Sequence, residues 1–381
     1  MKNKILLITV NFFIFTAIPA NAIFEGIRIN PIFCQTASVR ETVVYIDDMM
    51  MVENKFEWVY KLEGKLAASL APGERTTVVK LSPKDGTSLE IWQGCWPDYT
   101  VEKRLEISKN HYIFSKNPLD ELQEQQTLFK REIHAALSSI YNKSKRTDAQ
   151  YKFTSEKAPD KQILRALSSD EARFSNSANT IRAIIYSDMA ENSDLGSPFK
   201  PQLLPQSASF AEKLGTHFPR SVFYAYGVGE DVDLTSDKSF QENSKAFWLS
   251  TLRRMSATIG GFGSDLSVAN RIPVKSWKYE LNMQYDNDQL DGKLSILTDN
   301  DGYIVDSWLG FNRLNVSGLT GTFHCKPDQC KLDGETTSNL TTDGPSENLI
   351  LSGNADSLNG TLGINGRETL FTLTAKLVHP K

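Results

Sequence analysis

The sequence predicts a doubly wound α/β sheet with helices on both faces, followed by an antiparallel all-β sandwich or small barrel. Three observations carry this. Apolar, strand-like runs alternate with amphipathic, helix-like stretches from about residue 40 to 265. The helical period disappears beyond about residue 272, where short alternating segments take over. The chain has 381 residues, of which 359 remain after a 22-residue leader, more than one ordinary domain requires.

Val43-Val44-Tyr45-Ile46 is apolar and β-branched and reads as a buried strand ending at Asp47-Asp48. A helix with Val52, Phe56, Val59, Tyr60 and Leu62 on one side is expected next. Thr76 to Leu81 and Ser88 to Trp92 read as strands. The turn Pro83-Lys84-Asp85-Gly86 between them is short enough to make an antiparallel hairpin. Leu119, Leu122, Phe129, Ile133, Leu137, Ile140 and Tyr141 recur at helical spacing behind Asn117-Pro118, predicting a long amphipathic helix. The basic stretch from Asn142 to Lys157 is expected as a loop and the region of Ile163 to Leu167 as a shorter helix. Ile181 to Tyr186 and Ser221 to Tyr226 read as buried strands, closed by Ser187-Asp188 and Gly227-Val228-Gly229. A final helix is predicted over Ser239 to Thr258, with Phe240, Ala246, Phe247, Leu249 and Leu252 as core contacts and Gly260-Gly261 ending it. In such a sheet the functional surface lies at the carboxyl ends of the parallel strands. Asp47, Asp48, Ser187 and Asp188 are therefore the candidate binding residues.

Past residue 272, Trp277 to Leu281, Leu294 to Ile296 and Tyr303 to Trp308 alternate, and Asp291-Gly292, Asp301-Gly302 and Asp333-Gly334 read as hairpin turns. The expected organisation is a leader at 1–22, an α/β domain at 23–268 and a β domain at 269–381.

Met1-Lys2-Asn3-Lys4 is a basic start, Ile5 to Ile18 an apolar run, and Ala20-Asn21-Ala22 a small-x-small cleavage pattern. The run is shorter than the roughly 20 apolar residues a membrane span takes. These features predict a bacterial-type signal peptide and an exported protein, periplasmic or extracellular, that does not span a membrane once cleaved. A net charge of −4 and a pI near 5.9 provide no electrostatic reason to expect nucleic acid or an anionic membrane as partner. The four cysteines, Cys34, Cys95, Cys325 and Cys330, suit disulfides in an exported chain. Cys325 and Cys330 flank Lys-Pro-Asp-Gln, a turn, which predicts a local bridge; a zinc site would need CxxC spacing or a suitably placed histidine.

The first domain resembles a von Willebrand factor type A (vWA) domain. The resemblance rests on Val44 to Met51 for the first strand and loop, Ile184 to Asp188 for the fourth strand, and Val222 to Gly229 with the Trp248-containing helix for the last. It implies a third strand antiparallel to the second, so that Cys95 and Cys34 fall at the same pole and form a disulfide, with a stabilisation of about 2–4 kcal/mol. It also implies a magnesium or manganese ion held by an Asp-x-Ser-x-Ser loop, a distant threonine and a second aspartate. Asp47 matches the first aspartate and Asp188 the second, but Met49 and Met51 stand at the serine positions. Thr154 and Ser155 lie where the threonine is expected, and Asp48 and Ser187 could supply compensating oxygens. A thioether is a poor ligand for a hard cation, so the ion-binding loop is degenerate. Asp47 and Asp188 could instead cap backbone N–H groups. The methionines could form an adaptable contact surface or the first buried turn of a helix.

No catalytic residues are assigned. The five histidines form no metal-protease pair, and the glycine-rich segment Gly260 to Asp265 follows a helix rather than opening one after a strand. No cofactor is called for beyond that magnesium or manganese ion. The expected function is a protein-interaction or adhesion-like module whose partner is another protein or a cell-surface component. Alternatives are a hydrolase with an inter-domain carboxylate site, or a β barrel that binds a small ligand or lipid on an α/β scaffold.

Overall fold

The computed structural model describes residues 29–110, 117–147, 152–200, 214–285, 288–311, 316–337, 346–364 and 370–378; the leader at 1–22 lies outside them. Buried β-branched runs form the centre of a six-stranded sheet. Its strands are β1 (Arg40–Asp47), β2 (Arg75–Ser82), β3 (Thr87–Cys95), β4 (Thr180–Tyr186), β5 (Ser221–Tyr226) and β6 (Ala257–Phe262), in the order β3-β2-β1-β4-β5-β6. Only β3 runs antiparallel to its neighbour.

Side chains alternate between two cores, as the pleat requires. Val43, Tyr45, Ile181, Ala183, Ile185 and Phe223 pack on one face against α4 (Ile163–Ser168), α5 (Glu171–Asn176) and α6 (Phe240–Arg254). Val44, Ile46, Val78, Ile184 and Val222 pack on the other against α1 (Glu57–Ser69) and α3 (Pro118–Ser144). The Asn117 side chain caps α3 by accepting from the Leu119 N–H, and Pro118 occupies the first turn, where its missing N–H costs nothing.

Several boundaries differ from the sequence reading. Val52 and Phe56 precede α1, and Tyr60 is exposed. The long helix runs on through Ser144, so the expected loop begins later. Helix α2 (Val101–Lys109) was not anticipated, because Ile107 is its sole buried residue and it has no apolar stripe. The last helix ends at Arg254; Ser256, at φ 63, turns the chain, and Ala257-Thr258 with Gly260-Gly261 belong to β6. A Cβ at Gly260 would stand 2.5 Å from the Tyr224 ring, so the glycines make room for a neighbouring strand's side chain and do not end a helix. Ala246 is exposed.

The second half is a closed antiparallel barrel of eight strands: β7 (Lys275–Tyr285), β8 (Asp288–Thr298), β9 (Ser307–Phe311), β10 (Ser317–Lys326), β11 (Gln329–Thr336), β12 (Glu347–Gly353), β13 (Ser357–Ile364) and β14 (Leu370–Leu377). Pairing of β9 with β10 and of β14 with β7 closes the ring. Buried Tyr279, Leu281, Leu294, Phe323, Leu332, Leu351, Leu358 and Leu373 belong to its core, as in barrels narrow enough for side chains to fill. Gly292 and Gly334 lie within β8 and β11 and are not turn residues; a Cβ at Gly292 would press on Phe311, and one at Gly334 on Leu319. Cys34 is bonded to Cys95, with Cα atoms 5.3 Å apart, and Cys325 to Cys330, directly opposed across β10 and β11.

The barrel sits against the pole of the α/β sheet where the parallel strands begin. Arg40 donates to Glu74 (2.8–2.9 Å), to the Ser69 carbonyl (2.6 Å) and to Asp306 of the barrel domain. Tyr224 Oη donates to Asp306 (2.6 Å), and Arg182 donates to Thr42 and Ser69 (2.8–2.9 Å). Burial acts to raise the Asp306 carboxyl, but Arg40 and Arg182 hold it below the usual range. Burial and the neighbouring Arg40 lower Arg182 to about 10, still charged at neutral pH. Two guanidiniums thus face two carboxylates in a sealed junction. Glu74 and Asp306 are fully paired there and offer no carboxylate pair to a substrate.

Candidate functional site

The opposite pole, where the parallel strands end, brings the predicted residues together. Asp47 closes β1 and caps a 3-10 turn, Asp48–Met50, by accepting from the Met49 N–H at 3.0 Å. Its other oxygen accepts from Ser187 Oγ at 2.6 Å. Asp188 follows β4 and accepts from the Ala190 N–H at 3.0 Å, while its own N–H donates to Met50 Sδ at 3.2 Å. The Asp188 carbonyl accepts from Gly229 N–H, which ties the loop after β5 to the same rim.

Between the two carboxylates lies a side chain the sequence reading did not single out. Lys161 Nζ is 2.7 Å from Asp47 Oδ2 and 2.6 Å from Asp188 Oδ1. Its backbone is fixed by a two-bond bridge with Asn192. Burial acts to lower the ammonium pKa, but Asp188 and Asp47 raise it overall, so Lys161 is charged. Burial also raises Asp47, aided by Asp188 and opposed by Lys161. No sequence signal marked Lys161, because a lysine in the polar segment Ala158-Pro159-Asp160-Lys161 looks solvated. Among the described residues, neither Thr154 nor Ser155 bonds to Asp47 or Asp188; Ser155 N–H donates to Asp237 instead.

Asp47, Ser187 and Asp188 have no exposed surface, so they brace the rim from beneath. Met50 and Met51 are buried in the α1–α3 core, which favours the buried-turn reading of the methionines over an adaptable surface. What reaches solvent is half-buried Asp48 and Met49 and exposed Glu230. Asp48 accepts from Ser82 Oγ at 2.7 Å and pairs with Lys80 at 3.4 Å; Glu230 accepts from Tyr186 Oη at 3.0 Å.

The donor set does not suit a hard divalent ion. An ammonium already lies within ion-pair distance of both carboxylates, and thioethers stand where hydroxyls would be needed. Among the described residues no cluster of three or more acidic, histidine or cysteine side chains is placed to hold a metal.

Two further carboxylates surround the cluster. Burial, reinforced by Asp188, raises Asp231 to about 6, although Arg146 pairs with it. Burial raises Glu191 from its ordinary 4.5 to about 7, while Ser193 Oγ and the Leu164 N–H donate to its oxygens. Both groups hold protons in the folded state that the unfolded chain releases. Their contribution to stability is therefore complete below about pH 4 and is lost as pH rises through about 6 to 7. Glu191→Gln keeps an acceptor for Leu164 and is expected to flatten this decline. Urea unfolding of wild type and variant at about pH 5 and about pH 8 checks it.

These features define the class: a doubly wound α/β sheet, with its parallel-strand ends forming one rim, joined to a closed β barrel. No protein-family model matches the chain, and no curated protein matches it in sequence. Among solved structures it is similar to the ArnB paralog VWA2 from Sulfolobus acidocaldarius, at 11% identity and a TM-score of 0.35, covering 84% of this chain and 66% of that one. It is also similar to the human COPII-coat protein Sec24c, at 8% identity and a TM-score of 0.33, covering 90% of this chain and 44% of that one. The chain thus spans just under two thirds of the first structure and less than half of the second. Among the described residues no helix is long and apolar enough to cross a membrane.

Proposed function

We propose that the chain is an exported protein-interaction module that binds another protein or a cell-surface component through the rim around Asp48, Met49 and Glu230, without a divalent ion. One observation carries this reading: the Lys161 ammonium lies between Asp47 and Asp188, where the resemblance would put a metal. A metal-bearing rim needs a vacant coordination position for its partner. A buried ammonium provides none, so recognition falls to the exposed side chains around it. The two disulfides fit an oxidising compartment.

A photo-crosslinking amino acid at Met49 or Glu230, in the exporting cell, tests the proposal. The expected result is one discrete adduct from either position, lost on Asp48→Arg and insensitive to EDTA. The same position at Lys331, exposed on the barrel, is expected to give none. An adduct equally strong from Lys331, or one abolished by EDTA, would defeat the reading.

A further inference from the structure

At the pole away from the rim, a cleft of about 810 Å³ lies between the outer wall of β7–β9 and the segments that lead into β4, β5 and β6. Its size is within the range of small-molecule sites. The chain as a whole carries a net charge of −4, yet this cleft is lined by Arg220, Arg253, Arg254, Lys278 and Lys293. Glu280 is the one acidic residue among the described residues that line it.

Positive side chains do not converge without cost. Arg220 Nη2 donates to the Ser177 carbonyl and Lys278 Nζ to the Ala178 carbonyl at 2.6 Å, so two cations are held side by side by main-chain oxygens. Neither is given a carboxylate by those bonds. Burial lowers Lys278, and Arg220 lowers it further, the response of an ammonium to a cationic neighbour. Guanidiniums present fork-shaped donors to oxyanions, and clefts with low-dielectric walls focus the field of their charges.

From this convergence we infer that the inter-domain cleft binds a compact, multiply charged organic oxyanion, a polycarboxylate or a phosphate ester. The ligand would touch both domains, since Arg220 belongs to the α/β half while Lys278 and Lys293 belong to the barrel. This site is independent of the rim at the other pole.

Titration calorimetry on the purified chain with citrate and with inorganic pyrophosphate tests the inference, using sodium chloride of matched ionic strength and glucose as controls. Saturable one-to-one binding of citrate, pyrophosphate or both is expected; the preferred probe distinguishes a carboxylate from a phosphate ligand. Lys293→Met, at an exposed position, should weaken binding by about tenfold, the size of one charge-assisted contact. Glu280→Lys, also exposed, should tighten it, an outcome that misfolding cannot produce. Heats no larger than those of sodium chloride for both probes would overturn the inference. So would binding that neither Lys293→Met nor Glu280→Lys changes.

Discussion

Lys161→Met is expected to destabilise the fold by roughly 3–5 kcal/mol at neutral pH, the scale for removing one partner of a buried ion pair. Asp47 and Asp188 would then lie side by side in the same buried place with no cation between them. Burial already raises Asp47 against the pull of Lys161; without that pull the carboxyls can stay buried only by taking up protons. The deficit should therefore be largest at neutral to alkaline pH and shrink on acidification, opposite to the usual loss of carboxylate-stabilised folds in acid. Urea unfolding across pH measures this directly. A smaller replacement, Lys161→Ala, opens space among oxygens, and its melting temperature should rise with added manganese, as for any ligand that binds only the native state. Wild type should show no such rise. A wild-type melting temperature that climbed with manganese would refute the ammonium's proposed role as the resident cation.

Asp306→Asn is the second large effect, again roughly 3–5 kcal/mol, because it leaves two buried guanidiniums facing Glu74 alone. Asparagine suits the backbone here, since Asp306 has φ 44 and asparagine tolerates that region with little strain, so the change tests charge rather than conformation. The lost contact ties the barrel to the α/β sheet, so unfolding should split into two calorimetric transitions where wild type shows one. Pairing Arg40→Met with Asp306→Asn should recover much of the loss, because one guanidinium, Arg182, then faces one carboxylate, Glu74, and the charges balance again. A single, unshifted transition for Asp306→Asn would show that the junction holds through packing alone.

Much of the α/β half was legible in the sequence because its central strands are buried on both faces, and near-continuous runs such as Thr180–Tyr186 leave little ambiguity. The long helix was legible for the complementary reason that its apolar stripe is complete and its start is capped. Where reading failed, the residues served a neighbour's shape and not their own element. Gly260-Gly261 looked like a helix stop and is strand backbone beneath Tyr224; Asp291-Gly292 looked like a turn and is the gap Phe311 occupies. Helix α2, which buries almost nothing, has no period to read.

The site shows the same division. Residue order along the chain was enough to bring Asp47 and Asp188 to one rim, since parallel strands separated by helices must end at a common edge, and to pair Cys325 with Cys330 across a short turn. That Lys161 would stand between those aspartates, or that Arg40 would reach Asp306 across 266 positions, was settled only by tertiary packing. Periodicity reports which side of an element faces the core. It is blind to which charges meet inside, because a charge is buried only when distant chain supplies its counterion, and no local pattern records that meeting.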